Sequence, residues 1–127
     1  MITVLFTKQS NYPVSSPRIK SILKSFLAEN GIVSDAEVSL ALVGEAKMLD
    51  IGKKYLKDKK LHNVLSFTVE EKGKNFIYPP DKLYLGEIIV CYPKVVDEAK
   101  MENKRIENKV IELVEHGALH LLGVHHE

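Results

Sequence analysis

The stretch Leu83 to Cys91 constrains this chain most, because Ile88, Ile89 and Val90 stand side by side near its end. Successive residues of a strand point to opposite faces, so such a run makes a strand that must be covered on both sides. Cys91, at the end of this run, is then expected to be an inert core thiol. The chain has 127 residues, enough for one domain, residues 1–127, that buries about two-thirds of its unfolded surface around one core.

The other segments supply both strands and helices. Residues 2–6 are apolar and β-rich and predict a first strand, followed by a polar loop from Gln9 to Ser16. Ser16-Pro17 signals a helix start, with Ser16 as the capping hydroxyl. Ile19, Ile22, Leu23, Phe26 and Leu27 then recur at helical spacing until Asn30-Gly31. From Glu37 to Val43 apolar Val38, Leu40 and Leu42 alternate as in a strand with one buried face. Residues 45–56 suit a second helix, in which Gly52 costs up to about 1 kcal/mol relative to Ala. Asn63 to Val69 reads as a third strand, and Glu70 to Lys82, with Gly73, Pro79 and Pro80, as a loop. After the strand Leu83–Cys91, Pro93 opens a short helix to about Lys100, and a longer one follows Asn103 and carries Ile106, Val110, Leu113, Val114 and Leu121. The expected class is α+β, with about four strands in a mixed sheet packed against about four helices.

Hydrophobic residues make up 45% and charged residues 28%, which fits a globular protein and argues against disorder. No run approaches a membrane span, and Met1 to Phe6 lacks the basic start of a signal peptide, so a cytoplasmic location is expected. With Cys91 alone, no internal disulfide is possible. The net charge of +1 neither demands nor excludes a nucleic-acid partner. Locally, however, Lys53, Lys54, Lys57, Lys59 and Lys60 crowd one segment with only Asp58 to offset them. Such a segment either tracks a phosphate backbone or is a solvated lysine face.

The chemistry concentrates at the C-terminal end, where His116, His120, His125 and His126 account for four of the five histidines. His116 and His120 are one helical turn apart, so both rings can reach one ion. Gly123 is a natural stop for that helix, because glycine accepts the left-handed conformation that ends helices. His126 could then return as a third ligand. Three neutral imidazoles with a fourth position left open is the donor set of a catalytic zinc site, and the same donors also accept nickel or copper.

These residues carry a family likeness. His116-Gly117-x-Leu119-His120-Leu121-x-Gly123-x-x-His126 resembles the signature of the YbeY family of single-domain, zinc-dependent endoribonucleases that act in ribosomal RNA maturation. Asn63-Val64-Leu65-Ser66-Phe67 and Leu85-Gly86-Glu87-Ile88-Ile89-Val90-Cys91 resemble two further family segments, in the same order and at matching distances. The resemblance implies a zincin-like domain with one zinc ion at the C-terminal helix, held by His116, His120 and His126. It also implies a single-stranded or ribosomal RNA substrate, with the ribosome as a possible partner and no membrane. The oligomeric state is left open. The pattern departs at three places. Tyr55-Leu56 stands where the family has Tyr-Arg, Gly52 where it has Asn, and Val124-His125 where it has Tyr-Asp. Lys57 is the nearest cation to the missing arginine, although a lysine does not hold phosphate in a bidentate way.

Zinc on three imidazoles lowers the pKa of bound water toward about 7 and polarises a phosphoryl oxygen. The expected reaction is therefore phosphodiester cleavage, with Lys57 compensating charge and His125 a candidate base beside the metal. Ser66 and Glu87, in the matching strands, are candidates to face the cleft. His62 is expected to be a surface turn residue rather than a fourth ligand. Glu115 is a poorer base, since it points about 100° around the helix from His116. A metzincin-like metalloprotease shares the ligand spacing but needs Glu after the first histidine as its base, and here that residue is Gly117. A catalytically weakened, zinc-stabilised RNA- or ribosome-binding protein is the third reading.

Overall fold

The computed structural model describes residues 1–72 and 82–123. Its elements are β1 (Ile2–Thr7), α1 (Ser16–Glu29), β2 (Ala36–Val43), α2 (Glu45–Tyr55), β3 (Val64–Phe67), α3 (Val69–Lys72), β4 (Leu83–Cys91), α4 (Tyr92–Met101) and α5 (Ile106–Leu122). The strands form one sheet in the order β1-β2-β4-β3. β1, β2 and β4 are mutually parallel, and β3 joins the edge antiparallel to β4. The expected α+β class with a four-stranded mixed sheet is therefore observed, and α3 adds one short turn to the four longer helices.

As the run Ile88-Ile89-Val90 requires, β4 is covered on both faces. Ile88 and Val90 pack with Val38, Leu40 and Leu42 of β2 against α1, α4 and α5. Ile89 and Cys91 pack on the opposite face with Met48 and Ile51 of α2 and with Phe67. Cys91 is fully buried, and burial pushes its thiol pKa up, which fits an inert core thiol.

A register shift between Glu37 and Val38 gives β4 one extra residue, Leu85, opposite β2. Such a bulge exchanges the faces of all later residues. Leu85 at the bulge and Ile88 and Val90 after it consequently reach the same core. Gly86 makes the bulge possible. Its φ is +133°, and a Cβ there would lie 2.1 Å from the carbonyl oxygen of Phe67, so only glycine fits.

Several expected boundaries move. The cap of α1 is Ser15, whose side chain accepts from the Arg18 N–H at 3.3 Å, and Pro17 falls at the second helical position. Gly31 closes α1 in the left-handed region as expected, with φ +102°. Gly123 does not: α5 ends there, but Gly123 keeps right-handed angles, φ −62° and ψ −23°. The third strand stops at Phe67 because Thr68 and Glu71 form a capping box that starts α3 at Val69, the expected end of the strand, and carries it into the stretch expected to be a loop. Glu71 Oε1 accepts from the Thr68 N–H at 2.8 Å, while Thr68 Oγ1 accepts from the Glu71 N–H at 3.4 Å. Gly52 is buried within α2, where a Cβ would sit 3.2 Å from Asp58 Oδ1, so a tight helix end accompanies its low propensity.

Candidate functional site

α5 buries Val110, Leu113, Val114, Gly117, Ala118, Leu121 and Leu122, an i, i+3, i+4 stripe that faces the sheet. His116 and His120 border this stripe on the exposed side. The residue between them and the sheet is Gly117, where a Cβ would come within 2.8 Å of Ile88 Cγ2. With no side chain at 117, α5 lies close against β4, and the histidine pair is carried along the edge strand β3.

His116 lines a groove of about 400 Å³ together with Phe26, Asn63, Val64, Glu112, Leu113, Glu115 and Leu119. Glu115, the weaker of the two expected bases, thus shares the groove with His116. Asn63 holds its place by donating through Nδ2 to Glu98 Oε1 at 3.0 Å. Ser66 lies opposite Ile88 in the β3–β4 register, on the face that α5 covers. Glu87 is placed elsewhere. It lies opposite Phe67 and lines a second groove of about 520 Å³ on the other face of the sheet, with Ser39, Lys47, Lys54 and Tyr55. The bulge at Leu85, invisible in the pattern of apolar residues, explains its orientation.

His120 is tied to α3. Its Nε2 lies 3.1 Å from Glu71 Oε1, the same oxygen that accepts from the Thr68 N–H and, at 3.0 Å, from Thr68 Oγ1. The Glu71 carboxyl is held below its ordinary pKa, first by the Thr68 backbone N–H and further by the bonds from His120 and Thr68, against a smaller opposing effect of burial. The sequence reading missed Glu71, although Thr68-x-x-Glu71 is a capping-box signature that could have revealed the helix start.

Lys54 lines the second groove, its Nζ 5.3 Å from the centre of the Tyr55 ring. Lys53, Lys57, Lys59 and Lys60 are exposed along the end of α2 and the connection to β3. That connection is shaped by Asp58, which accepts from the Lys60 N–H at 3.3 Å and pairs with His62 Nε2 at 3.0 Å. His62 is partly buried against Asp58 in this connection, less exposed than the surface residue expected. Lys57 has φ +59°, the left-handed region that non-glycine residues rarely adopt. Leu56, at the position of the family arginine, is 44% exposed.

Among the described residues no cluster of three or more histidine, cysteine or acidic side chains is close enough to hold a metal ion. His125 and His126 lie outside those residues. Of the three expected ligands, His116 and His120 are exposed one helical turn apart on α5. No described helix is long and apolar enough to cross a membrane.

Comparison with known proteins reaches the whole of this architecture. The chain is 32% identical over 126 residues to the Endoribonuclease YbeY of Moorella thermoacetica, covering 94% of this chain and 81% of that protein. It is 33% identical over 110 residues to the Acinetobacter baumannii protein of the same name, covering 87% and 69%. A solution structure from Thermotoga maritima superimposes with a TM-score of 0.61 at 25% identity, covering 100% of this chain and 75% of that one. The family described as Endoribonuclease YbeY matches residues 6–127, from the first strand through the histidine helix, and this chain belongs to it.

Proposed function

We propose that the chain is a metal-dependent endoribonuclease that cleaves single-stranded RNA in the maturation of ribosomal RNA, with His116, His120 and His126 as ligands of one zinc ion. The match to the Endoribonuclease YbeY family over residues 6–127 carries this reading. His116 in the groove, with His120 exposed one turn further along α5, supports it. A bound zinc ion would supply Lewis acidity at a phosphoryl oxygen and hydroxide near neutral pH.

The chain's own residues supply the remainder. Phe26 and Leu119 give the groove beside His116 an apolar wall, of the kind against which an unstacked base packs. Lys57, Lys59 and Lys60 precede Asn63, a lining residue of the same groove. Lys60 stands three positions before it, at most about 11 Å of extended chain, so these ammonium groups can follow a phosphate backbone into the groove and offset its charge. A cytoplasmic location and contact with the ribosome belong to the same reading.

The metalloprotease alternative is weakened by Gly117. That position faces Ile88 at a separation too short even for a methyl group, so a glutamate base would displace α5 from the sheet. The binding-protein alternative keeps one specific observation in its favour, Leu56 in place of the arginine.

The test is to measure bound metal and then compare wild type with His116→Ala on single-stranded RNA and on an unfolded protein. RNA cleavage by the wild type that is lost in the variant is expected. Cleavage of protein alone would sink the nuclease reading, and metal without either activity would favour the binding protein.

A further inference from the structure

Two glutamates, Glu112 and Glu115, line the groove beside His116. The fold accounts for Glu112. Its Oε1 accepts from Lys104 Nζ and its Oε2 from Lys109 Nζ, each at 2.6 Å, so two ammonium groups offset its charge. Glu115 has a different setting. It precedes His116 and stands about 100° round the helix from it, and it lies four residues before Leu119, on the same helix face. Leu119 is 54% exposed, and with Phe26 it gives the groove apolar surface. The groove thus sets a carboxylate beside an apolar wall, one position away from a histidine.

Charge and size together decide what such a place takes. A carboxylate repels phosphate, so the backbone of a bound RNA keeps to the His116 side and its base turns toward Glu115. The volume of about 400 Å³ is near the small end of ligand clefts, which span about 300–1,000 Å³, and suits a single nucleotide. An ionised carboxylate accepts hydrogen bonds and donates none. It pairs most strongly, through two parallel bonds, with a partner that offers two donors side by side. Of the RNA bases only guanine does so, with N1–H and N2–H on its Watson–Crick edge. Adenine and cytosine set a ring acceptor beside their amino group, and uracil sets its N–H between two carbonyls. Each of these turns a lone pair toward the carboxylate.

We infer that Glu115 makes cleavage selective for guanosine, its carboxylate accepting from N1–H and N2–H of a guanine packed on Leu119 and Phe26 beside the phosphate to be cut. This rests on the endoribonuclease reading above and adds a base to the substrate class. Glu115 then determines specificity and takes no part in moving the proton of the attacking water.

The test uses the full chain and short single-stranded RNAs carrying one guanosine among uridines. Cut positions are read by sequencing, and binding without cleavage is read by fluorescence competition in the presence of a chelator. Cleavage beside guanosine should exceed cleavage beside uridine at least about fivefold in kcat/KM, the lower end of what a good bidentate contact discriminates. Inosine, which lacks the N2 amino group, should lose the preference, and 7-deazaguanosine, which keeps the same edge, should retain it. Glu115→Gln should turn the preference toward adenosine, because an amide both accepts and donates, as the adenine edge requires. A loss of helix packing alone would not redirect the choice of base. Equal cleavage beside all bases by the wild type would overturn the proposal, as would a guanosine preference that survives in inosine or in the variant. Should the variant fail to fold, the inosine comparison on the wild type decides. A wild type that cleaves no RNA would remove the endoribonuclease reading, while the binding preference measured in chelator would still decide on Glu115.

Discussion

Gly117 shows how one position carries both packing and chemistry. Glycine inside a helix ordinarily costs about 1 kcal/mol relative to alanine, so Gly117→Ala would stabilise a free-standing helix. Here the added methyl would lie 2.8 Å from Ile88 Cγ2, and overpacking of this kind costs about 1–3 kcal/mol. Gly117→Ala is thus expected to lower the urea midpoint, and a second change, Ile88→Ala, should make the alanine at 117 less harmful than it is alone. Lys57 offers a residue whose two roles have opposite signs. Its left-handed backbone, φ +59°, favours glycine by about 1 kcal/mol, so Lys57→Gly should raise the melting temperature. Removing its ammonium should at the same time weaken RNA cleavage. A variant that is more stable yet equally active would show that Lys57 does not stand in for the missing arginine. The sequence made the histidines and Gly117 legible, since their spacing alone implies one helix face. It did not make legible what Gly117 touches, because Ile88 lies 29 residues earlier and its facing depends on the bulge at Leu85.

At the level of elements, α1 and α5 are pinned together at their starts. Glu107 accepts from the Ser15 N–H at 2.7 Å and pairs with the Arg18 guanidinium. Ser15 also caps α1, and Ser15→Ala should cost about 1 kcal/mol. Further along α5, Lys104 and Lys109 hold the Glu112 carboxyl at a pKa of about 2, below its ordinary 4.5. Lys104 is the larger cause. The same two lysines depress Glu102, Lys109 more strongly. A depressed acid stabilises the fold fully above its unfolded pKa and loses that contribution as pH falls through the folded one. Stability should therefore be steady above about pH 4.5 and decline toward pH 2, and Glu112→Gln should flatten this decline in denaturant titrations across that window. Because Glu112 is nearly half exposed, solvent screening keeps the effect modest. The helices were readable where an apolar stripe ran for several turns, as in α1 and α5. α3 was not: Pro79, Pro80 and Gly73 governed the reading of its surroundings, while its only start signal is the pair Thr68 and Glu71.

Across the whole molecule, the sheet divides the candidate machinery. The histidines and Ser66 belong to the α5 side, whereas Lys54 and Glu87 line the groove on the α2 side. Leu56 closes α2 and is 44% exposed, so Leu56→Arg should fold normally and, by supplying the guanidinium that the family resemblance implies at this position, should increase RNA cleavage. Equal cleavage by both proteins across a salt series would show that position 56 does not meet the substrate. The α+β class and the order of segments could be read from the sequence, because strand and helix periods differ. The joining of Glu71 to His120, 49 residues apart, could not, since only the folded sheet brings β3 and α5 side by side. The close seating of α5 on β4 at Gly117 also bears on how metal would arrive. Both imidazoles ride on a helix whose height is set by buried aliphatic contacts rather than by an ion. Metal binding by His116 and His120 should then leave α5 in place, with little change in heat capacity from this helix, unlike a helix that must bury new apolar surface to present its ligands.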